Sequence, residues 1–248
     1  MEKEWFKDWF SSPYYDILYY KRNEEEAAAF IHQLINYLQP AAGSYMLDAA
    51  CGKGRHSRVL AGMGFDVTGI DLSDEAIKEA NNYATENLHF FYHDMRRPFY
   101  INYFDYAFNF FTSFGYFLTR REHDNAMRTL AQSLKNNGLL IIDYLNTHFV
   151  EDHLVKNETT VVNDVVFNIT RWHDEDHFFK QIEIQDKLSQ KQNEIYTERV
   201  AKFSPGDFTD MLAYQKMQMQ YIFGDYHLAP YDIRKSPRMI IIAKKIIR

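Results

Sequence analysis

Only one cysteine, Cys51, occurs among the 248 residues, which excludes an internal disulfide framework and agrees with a reducing compartment. Long apolar runs are missing too: Met239 to Ala243 is a typical maximum, far short of the ~20 residues that a membrane-spanning helix needs. No membrane partner is therefore expected. Nor is there a surplus of positive charge. With 28 Lys and Arg against 34 Asp and Glu the formal net charge is −6, so no global positive field exists to hold a phosphate backbone, and nucleic acid is a disfavoured partner. The first eight residues mix both charges and lack the basic-then-apolar order of a secretory signal, so a cytoplasmic location is expected. Internal repeats, low-complexity tracts and linkers rich in Gly or Ser are absent.

What remains is ordinary globular material, 46% hydrophobic and 25% charged, sized for one large domain or one domain with an elaboration. The 20 Phe and 18 Tyr are mostly accounted for by core filling. Several of them fall in apparent loops, where that account weakens.

The most informative stretch runs from Met46 to Ser57: a short apolar strand ends in Asp48 and breaks into a turn spaced by Gly52 and Gly54. A lone G-x-G is weak evidence for a nucleotide, because glycine is the default residue of a left-handed turn. Its flanks add to it. Asp48 is expected to face whatever lies over the turn, where a carboxylate repels a pyrophosphate and attracts an ammonium. Downstream, Phe65 to Ile70 reads as a second strand ending at Asp71, and an acidic residue there can accept both hydroxyls of a ribose. Ser73 then caps a helix with Asp74 and Glu75 in its first turn. Cys51 sits inside the first turn, where its small size is a sufficient explanation.

Helices and strands alternate through the first 145 or so residues. Asn23 and Glu26 form a capping box ahead of Phe30, Ile31, Leu34, Ile35 and Leu38, spaced on one helical face. A helix spans roughly Arg55 to Gly62, and another follows Ser73 to about Ala84. Leu88 to Tyr92 and Phe104 to Phe110 read as strands. Thr119 and Glu122 open a helix expected to end at Gly138, before a fifth strand from Leu139 to Tyr144. Nearly continuous apolar strands alternating with helices predict a doubly wound, Rossmann-like parallel α/β sheet, in which ligands sit outside the carboxyl ends of the strands. Asp48, Asp71, Asp94, Asn109 and Asp143 all fall at or near those ends.

After Phe149 the period changes to two, and Thr159 to Val162, Val165 to Thr170, Phe178 to Gln185 and Ile195 to Phe203 predict an antiparallel β-meander. Ser204, Pro205 and Asp207 start a helix, followed by strands at Met217 to Phe223 and Arg238 to Ala243. The expected organisation is an α/β core with an N-terminal helical cap over 1–149, a β insertion over 150–203 serving as acceptor lid or dimer element, and core completion over 204–248. Removal of the insertion is expected to abolish turnover and to spare cofactor affinity.

Together, the Asp48-x-x-x-Gly52-x-Gly54 loop, Asp71, His93-Asp94-Met95, Phe104-Asp105 and Phe111-Thr112-Ser113-Phe114-Gly115 resemble class I S-adenosylmethionine-dependent methyltransferases. The resemblance covers essentially the whole chain. Its N-terminal Tyr15-Asp16-Ile17-Leu18-Tyr19 with Arg22 is similar to the cap of small-molecule N-methyltransferases in the bacterial methyltransferase-25-like group. The resemblance implies S-adenosyl-L-methionine as cofactor. It implies that Asp48 and the loop at Cys51, Gly52 and Gly54 hold its methionine part, Asp71 its ribose and Asp94 its adenine amino group. Met95 and Leu72 would meet the adenine ring, Asn109 and Phe110 would line the floor near the sulfonium, and Tyr15, Tyr19 and Arg22 would close over the methionine end.

The expected reaction is in-line transfer of a methyl group to N, O, C or S of an acceptor, with the protein supplying alignment and exclusion of water. The missing prolines in Asn109-Phe110-Phe111-Thr112 argue against an adenine-N6 acceptor, and a small molecule, taken by a monomer or homodimer, is the leading expectation. His148, just past the fifth strand, is a candidate general base. His153, His173 and His177 lack paired spacing with carboxylates, and no metal site is expected. Tyr116, Phe117 and Tyr144 are candidates for an aromatic acceptor wall. Lys53 beside two glycines could serve a phosphate, against the plainer reading of a solvated side chain. The competing readings are a non-catalytic cofactor-binding protein, an NAD-dependent oxidoreductase, disfavoured by Asp48 and Ser57, and a methyltransferase of RNA or protein.

Overall fold

The computed structural model describes residues 5–19, 24–188 and 193–246. Two short N-terminal helices come first, α1 (Trp5–Phe10) and α2 (Pro13–Leu18). Ser12 caps α2 by accepting from the Tyr14 N–H, and Pro13 occupies its first turn, where a missing N–H costs nothing. There follow α3 (Glu24–Leu38), β1 (Tyr45–Ala49), α4 (Arg55–Gly62), β2 (Asp66–Asp71), α5 (Asp74–Ala80), β3 (Leu88–Tyr92) and β4 (Phe104–Asn109). Next come α6 (Arg120–Ser133), β5 (Leu134–Leu145), α7 (Thr147–Asp152), the four strands β6 (Asn157–Val162), β7 (Val165–His173), β8 (His177–Asp186) and β9 (Glu194–Ala201), then α8 (Pro205–Tyr214), β10 (Met217–Phe223) and β11 (Arg238–Lys245).

The first sheet has seven strands in the order β10-β11-β5-β4-β1-β2-β3. Strands β3, β2, β1, β4 and β5 run parallel; β11 is antiparallel to β5, and β10 to β11. Strand order reverses between β1 and β4, which opens a crevice at their carboxyl ends. Both faces are covered, as the near-continuous burial of β1, β2 and β11 requires. One apolar cluster packs Met127, Leu130, Phe208 and Leu212 of α6 and α8 on the sheet, and a second packs Phe30, Ile31, Leu34, Leu60 and Ile77 of α3, α4 and α5 on the other side.

The second sheet, β6-β7-β8-β9, is wholly antiparallel. Its inner face carries Val165, Phe167, Ile169, Ile182 and Ile184, and Trp9 of α1 is buried against them with Tyr14, Tyr15, Ile17 and Tyr19 alongside. The cap helices are therefore sandwiched between the inserted sheet and the core. Among the described residues no helix is long and apolar enough to cross a membrane.

Three local expectations change. The fifth helix is shorter than expected: α5 stops at Ala80 and a 3-10 turn covers Asn81–Tyr83. Helix α6 stops at Ser133, not Gly138, because Leu134 already pairs with Phe104; the register then breaks until Leu139 meets Tyr106. Gly138 is needed for that bulge, since a Cβ there would lie 2.9 Å from the Lys135 carbonyl and 3.1 Å from that of Asp105. Between β5 and the inserted sheet stands α7, which the alternating pattern did not announce. Asn23 of the expected capping box lies outside the described residues.

Candidate active site

A cavity of about 430 Å³ opens at the carboxyl ends of β1, β2, β3 and β4, beneath the cap helices. That is within the ~300–1,000 Å³ usual for small-molecule sites. Its floor is the turn after β1, where Ala50, Gly52 and Gly54 have φ of +62°, +54° and +77°. Such backbone is costly for any residue with a Cβ, so the two glycines follow from the turn, and Ala50 bears strain there. Gly54 has a second reason: a Cβ would run into the Phe90 ring. It begins α4 from beneath the loop and does not line the cavity.

Asp71, at the end of β2, lines the cavity. The Gly52 N–H donates to one of its carboxylate oxygens and the Ser73 N–H to the other, each at 2.8 Å. Burial raises its pKa, and those N–H groups act in the opposite direction. Its carboxylate is thus fixed in orientation by backbone alone, which leaves lone pairs for a ligand's hydroxyls. Leu72 and Met95 border the same space, Cys51 and Phe110 form part of its wall, and Tyr15 and Tyr19 reach in from the cap. Eight of the residues singled out in the sequence are thereby brought together.

Others are not. Asp48 is 1% exposed and lies under the loop, where the Ser57 hydroxyl donates to it at 2.6 Å. It pins α4 to β1 instead of facing the cavity, and burial raises its pKa to about 6. Asp94 also stays out of the lining: Arg96 donates to both its oxygens through Nε and Nη2 at 2.7–3.0 Å. Burial would raise the Asp94 pKa, but the Arg96 guanidinium outweighs that and holds the carboxyl below its usual range. Asn109 is fully buried; its amide donates to the Ala49 carbonyl at 2.9 Å and accepts from the Phe114 N–H at 3.0 Å, so it ties β4 to β1 behind the wall. His148 rides on α7, 4.0 Å from Glu151, and does not line the cavity either. Tyr144 is core: its hydroxyl donates to the Ala201 carbonyl at 2.7 Å. Tyr116 and Phe117 do line the cavity. Arg22 lies outside the described residues. Among the described residues no group of three or more His, Cys, Asp or Glu is gathered for a metal.

Several cavity residues carried no sequence signal. Phe6 and Phe10 come from α1, and Arg55 and His56 open α4 directly after Gly54. His56 is 6% exposed and packs at a tilt against Phe110 and Phe111 at ring distances of 4.6 and 5.5 Å. Burial, reinforced by the Arg55 charge, lowers its pKa to about 3. Position next to the loop was the one available hint. At the rim, Lys53 pairs with Asp16 of α2 at 3.0 Å and with Glu79 of α5 at 2.6 Å, and Arg58 pairs with Glu24. Lys53, whose side chain is 41% exposed, thereby ties the cap to the core at the cavity rim.

Phe111 and Thr112 adopt φ of +57° and +66° right after β4. Two consecutive left-handed residues persist only where surroundings hold them. Asp143 at the end of β5 does so: its carboxylate accepts from the Phe111 N–H at 2.9 Å and its carbonyl from the Thr112 N–H at 2.9 Å. Arg238 of β11 donates to the Asp143 carboxylate at 2.6–2.8 Å and to the Thr112 hydroxyl at 3.0 Å. Asp143 thus shapes the wall that Phe111 presents to the cavity.

Comparison with known proteins agrees with this geometry. A family model described as a methyltransferase domain matches residues 46–138. An uncharacterized methyltransferase of Staphylococcus carnosus is 31% identical over 67% of this chain and 78% of its own length. A Geobacillus protein named as a methyltransferase is 29% identical, and the match spans 61% of this chain and 62% of that protein. The dTDP-3-amino-3,4,6-trideoxy-alpha-D-glucopyranose N,N-dimethyltransferase of Streptomyces venezuelae is 30% identical over 52% of this chain and 54% of its own length. Among solved structures, an S-adenosylmethionine-dependent methyltransferase from Clostridium acetobutylicum superposes with a TM-score of 0.79 at 16% identity, over 94% of this chain and 97% of that one. The chain belongs to the S-adenosylmethionine-dependent methyltransferase family, with the class I fold.

Proposed function

We propose that this protein transfers a methyl group from S-adenosylmethionine to an amine nitrogen of a small-molecule acceptor. The observation that carries the reading is Asp71, a carboxylate held by two backbone N–H groups with its free lone pairs on a cavity of ligand size. That arrangement suits a ribose diol and offers no clamp for a pyrophosphate. The cofactor supplies an electrophilic methyl group on a cationic sulfur. Leu72 and Met95 would flank its adenine, and the turn at Cys51 and Gly52 with Tyr15 and Tyr19 would enclose its methionine part. Phe110 would border the sulfur, where an aromatic face attracts a cation.

The chain's own residues then orient and dehydrate. Every carboxylate that borders the cavity has a donor: Asp71 the backbone, Asp16 and Glu79 Lys53, and Glu24 Arg58. Two histidines line the cavity: His56, with its lowered pKa, is a feeble base, and His93 is engaged through Nε2 with the Arg97 carbonyl at 3.1 Å. Such a wall favours a nucleophile that attacks with its own lone pair once neutral, which is what an amine does and an alcohol does not. The sugar N,N-dimethyltransferase among the relatives supports the same acceptor class. The test is S-adenosylhomocysteine production across paired amino and hydroxy metabolites. Turnover with amines bears the reading out; turnover restricted to hydroxy compounds overturns the amine assignment, and absence of S-adenosylhomocysteine binding overturns the cofactor.

A further inference from the structure

No described residue of the inserted sheet lines the cavity, yet the sheet grips the cap through one carboxylate. Lys180 on β8 and Glu198 on β9 are directly paired across the two strands, on the face that covers the cap. Glu198 Oε1 accepts from the Trp9 indole N–H at 2.7 Å and from the Tyr19 hydroxyl at 2.8 Å. Lys180 donates to the same Tyr19 hydroxyl, lies 3.8 Å from Glu198 and stands over the Tyr19 ring at 4.6 Å. Both side chains are largely buried, 16% exposed for Lys180 and 17% for Glu198, so these bonds are little screened by solvent. Trp9 is completely buried and packs edge-on against Tyr15 at 5.6 Å, and Tyr15 packs against Tyr19 at 4.8 Å. Tyr15 and Tyr19 line the cavity together with Phe6 and Phe10 of the same cap. A single carboxylate therefore fixes the buried anchor of the cap and one of its ligand-facing rings together.

We infer that Glu198 and Lys180 are positioning residues for the cofactor, and that the inserted sheet sets cofactor affinity by holding Tyr19 over the cavity, which replaces the expectation from sequence that its removal would spare that affinity. The inference rests on the proposed cofactor site. It is tested with S-adenosylhomocysteine as probe, by calorimetry on the full chain. Glu198→Gln keeps the shape and removes the charge that two donors share, and Tyr19→Phe keeps the ring and removes its hydroxyl. Each is expected to weaken binding about ten-fold, the scale of a lost hydrogen bond to a charged group, and the double variant is expected to lose less than the product of the two, because both disrupt the shared Tyr19–Glu198 bond. Tyr14→Phe is the control: its hydroxyl also ties the cap to the sheet, through Asp186 at 3.0 Å, but Tyr14 does not line the cavity. It is expected to leave affinity unchanged. The Trp9 indole N–H resonance is expected to shift on adding the probe in the wild type and to stay put in Glu198→Gln, which a merely structural contact would not produce. If Glu198→Gln fails to fold, Tyr19→Phe carries the test. Affinity within two-fold of wild type in Tyr19→Phe, or an equal loss in Tyr14→Phe, overturns the inference; a wild type that does not bind the probe overturns the cofactor site instead.

Discussion

Asp71 and Asp48 are both carboxylates at strand ends in the same turn region, and their surroundings give them different work. Asp71 has two backbone donors and an open side on the cavity. Asp71→Ala is expected to weaken S-adenosylhomocysteine binding by about 1.5–3 kcal/mol, the range for hydrogen bonds to a charged acceptor, as read by calorimetry. Asp48 is sealed under the loop with Ser57, and nothing in its position in the sequence distinguishes the two situations: both end apolar strands, and only the path of α4 decides which one is covered. Ala50 offers a second residue-scale prediction. It holds φ of +62°, which costs an L-residue roughly 1–2 kcal/mol, while glycine adds about 0.4–1 kcal/mol of unfolded-chain entropy. Ala50→Gly is therefore expected to raise stability by up to about 1.6 kcal/mol in denaturant titration.

Elements show the same division between pattern and placement. A capping box announced α6 in the sequence, and Ser204, Pro205 and Asp207 announced α8; in the structure both helices carry a formed box, Thr119 with Glu122 and Ser204 with Asp207. Their hydrogen bonds span three residues, so local sequence carries them. Helix α7 was not legible, because its capping residue Asn146 spends its side chain on the Ile233 and Ser236 carbonyls, far along the chain. The turn after β4 was equally hidden. Its left-handed Phe111 and Thr112 are held by Asp143 and Arg238, from β5 and β11. Removal of one member of a buried ion pair leaves the other uncompensated. Arg238→Met is expected to cost about 3–5 kcal/mol in chemical denaturation.

For the whole molecule, the pH dependence of stability follows from buried groups acting in opposite senses. Burial raises the Asp48 pKa to about 6, above its unfolded value, so the folded state binds the proton more tightly. Its contribution is fully present below about pH 4 and is lost as pH rises through 6, on the order of 3 kcal/mol for a two-unit shift. Asp48→Asn, which keeps an acceptor for Ser57, is expected to be the more stable protein at pH 7 and to converge with wild type near pH 4. His56 and His123 are lowered by burial to about 3 and about 4. Their contributions are present above pH 6.5 and are lost as pH falls towards those values, so acid is expected to unfold both proteins. Parallel melts across pH 4–8 check this: wild type and Asp48→Asn that remain separated by the same amount at every pH would contradict it.

Sequence by itself determined the doubly wound core, the antiparallel insertion, the glycine turn and the acidic residue at the end of β2. Each is written in short-range patterns: period, caps and left-handed positions. Tertiary structure decided which strand-end side chains reach the cavity, that Asp94 is taken by Arg96 and Asp48 by Ser57, and that Lys53 ties the cap to the core. It also decided that the insertion meets the cap and not the cavity, through Trp9, Tyr19, Lys180 and Glu198. The physical reason is range. A turn or cap is satisfied within a few residues, whereas the partner of a buried polar group is whichever group folding brings near, here up to 189 positions away.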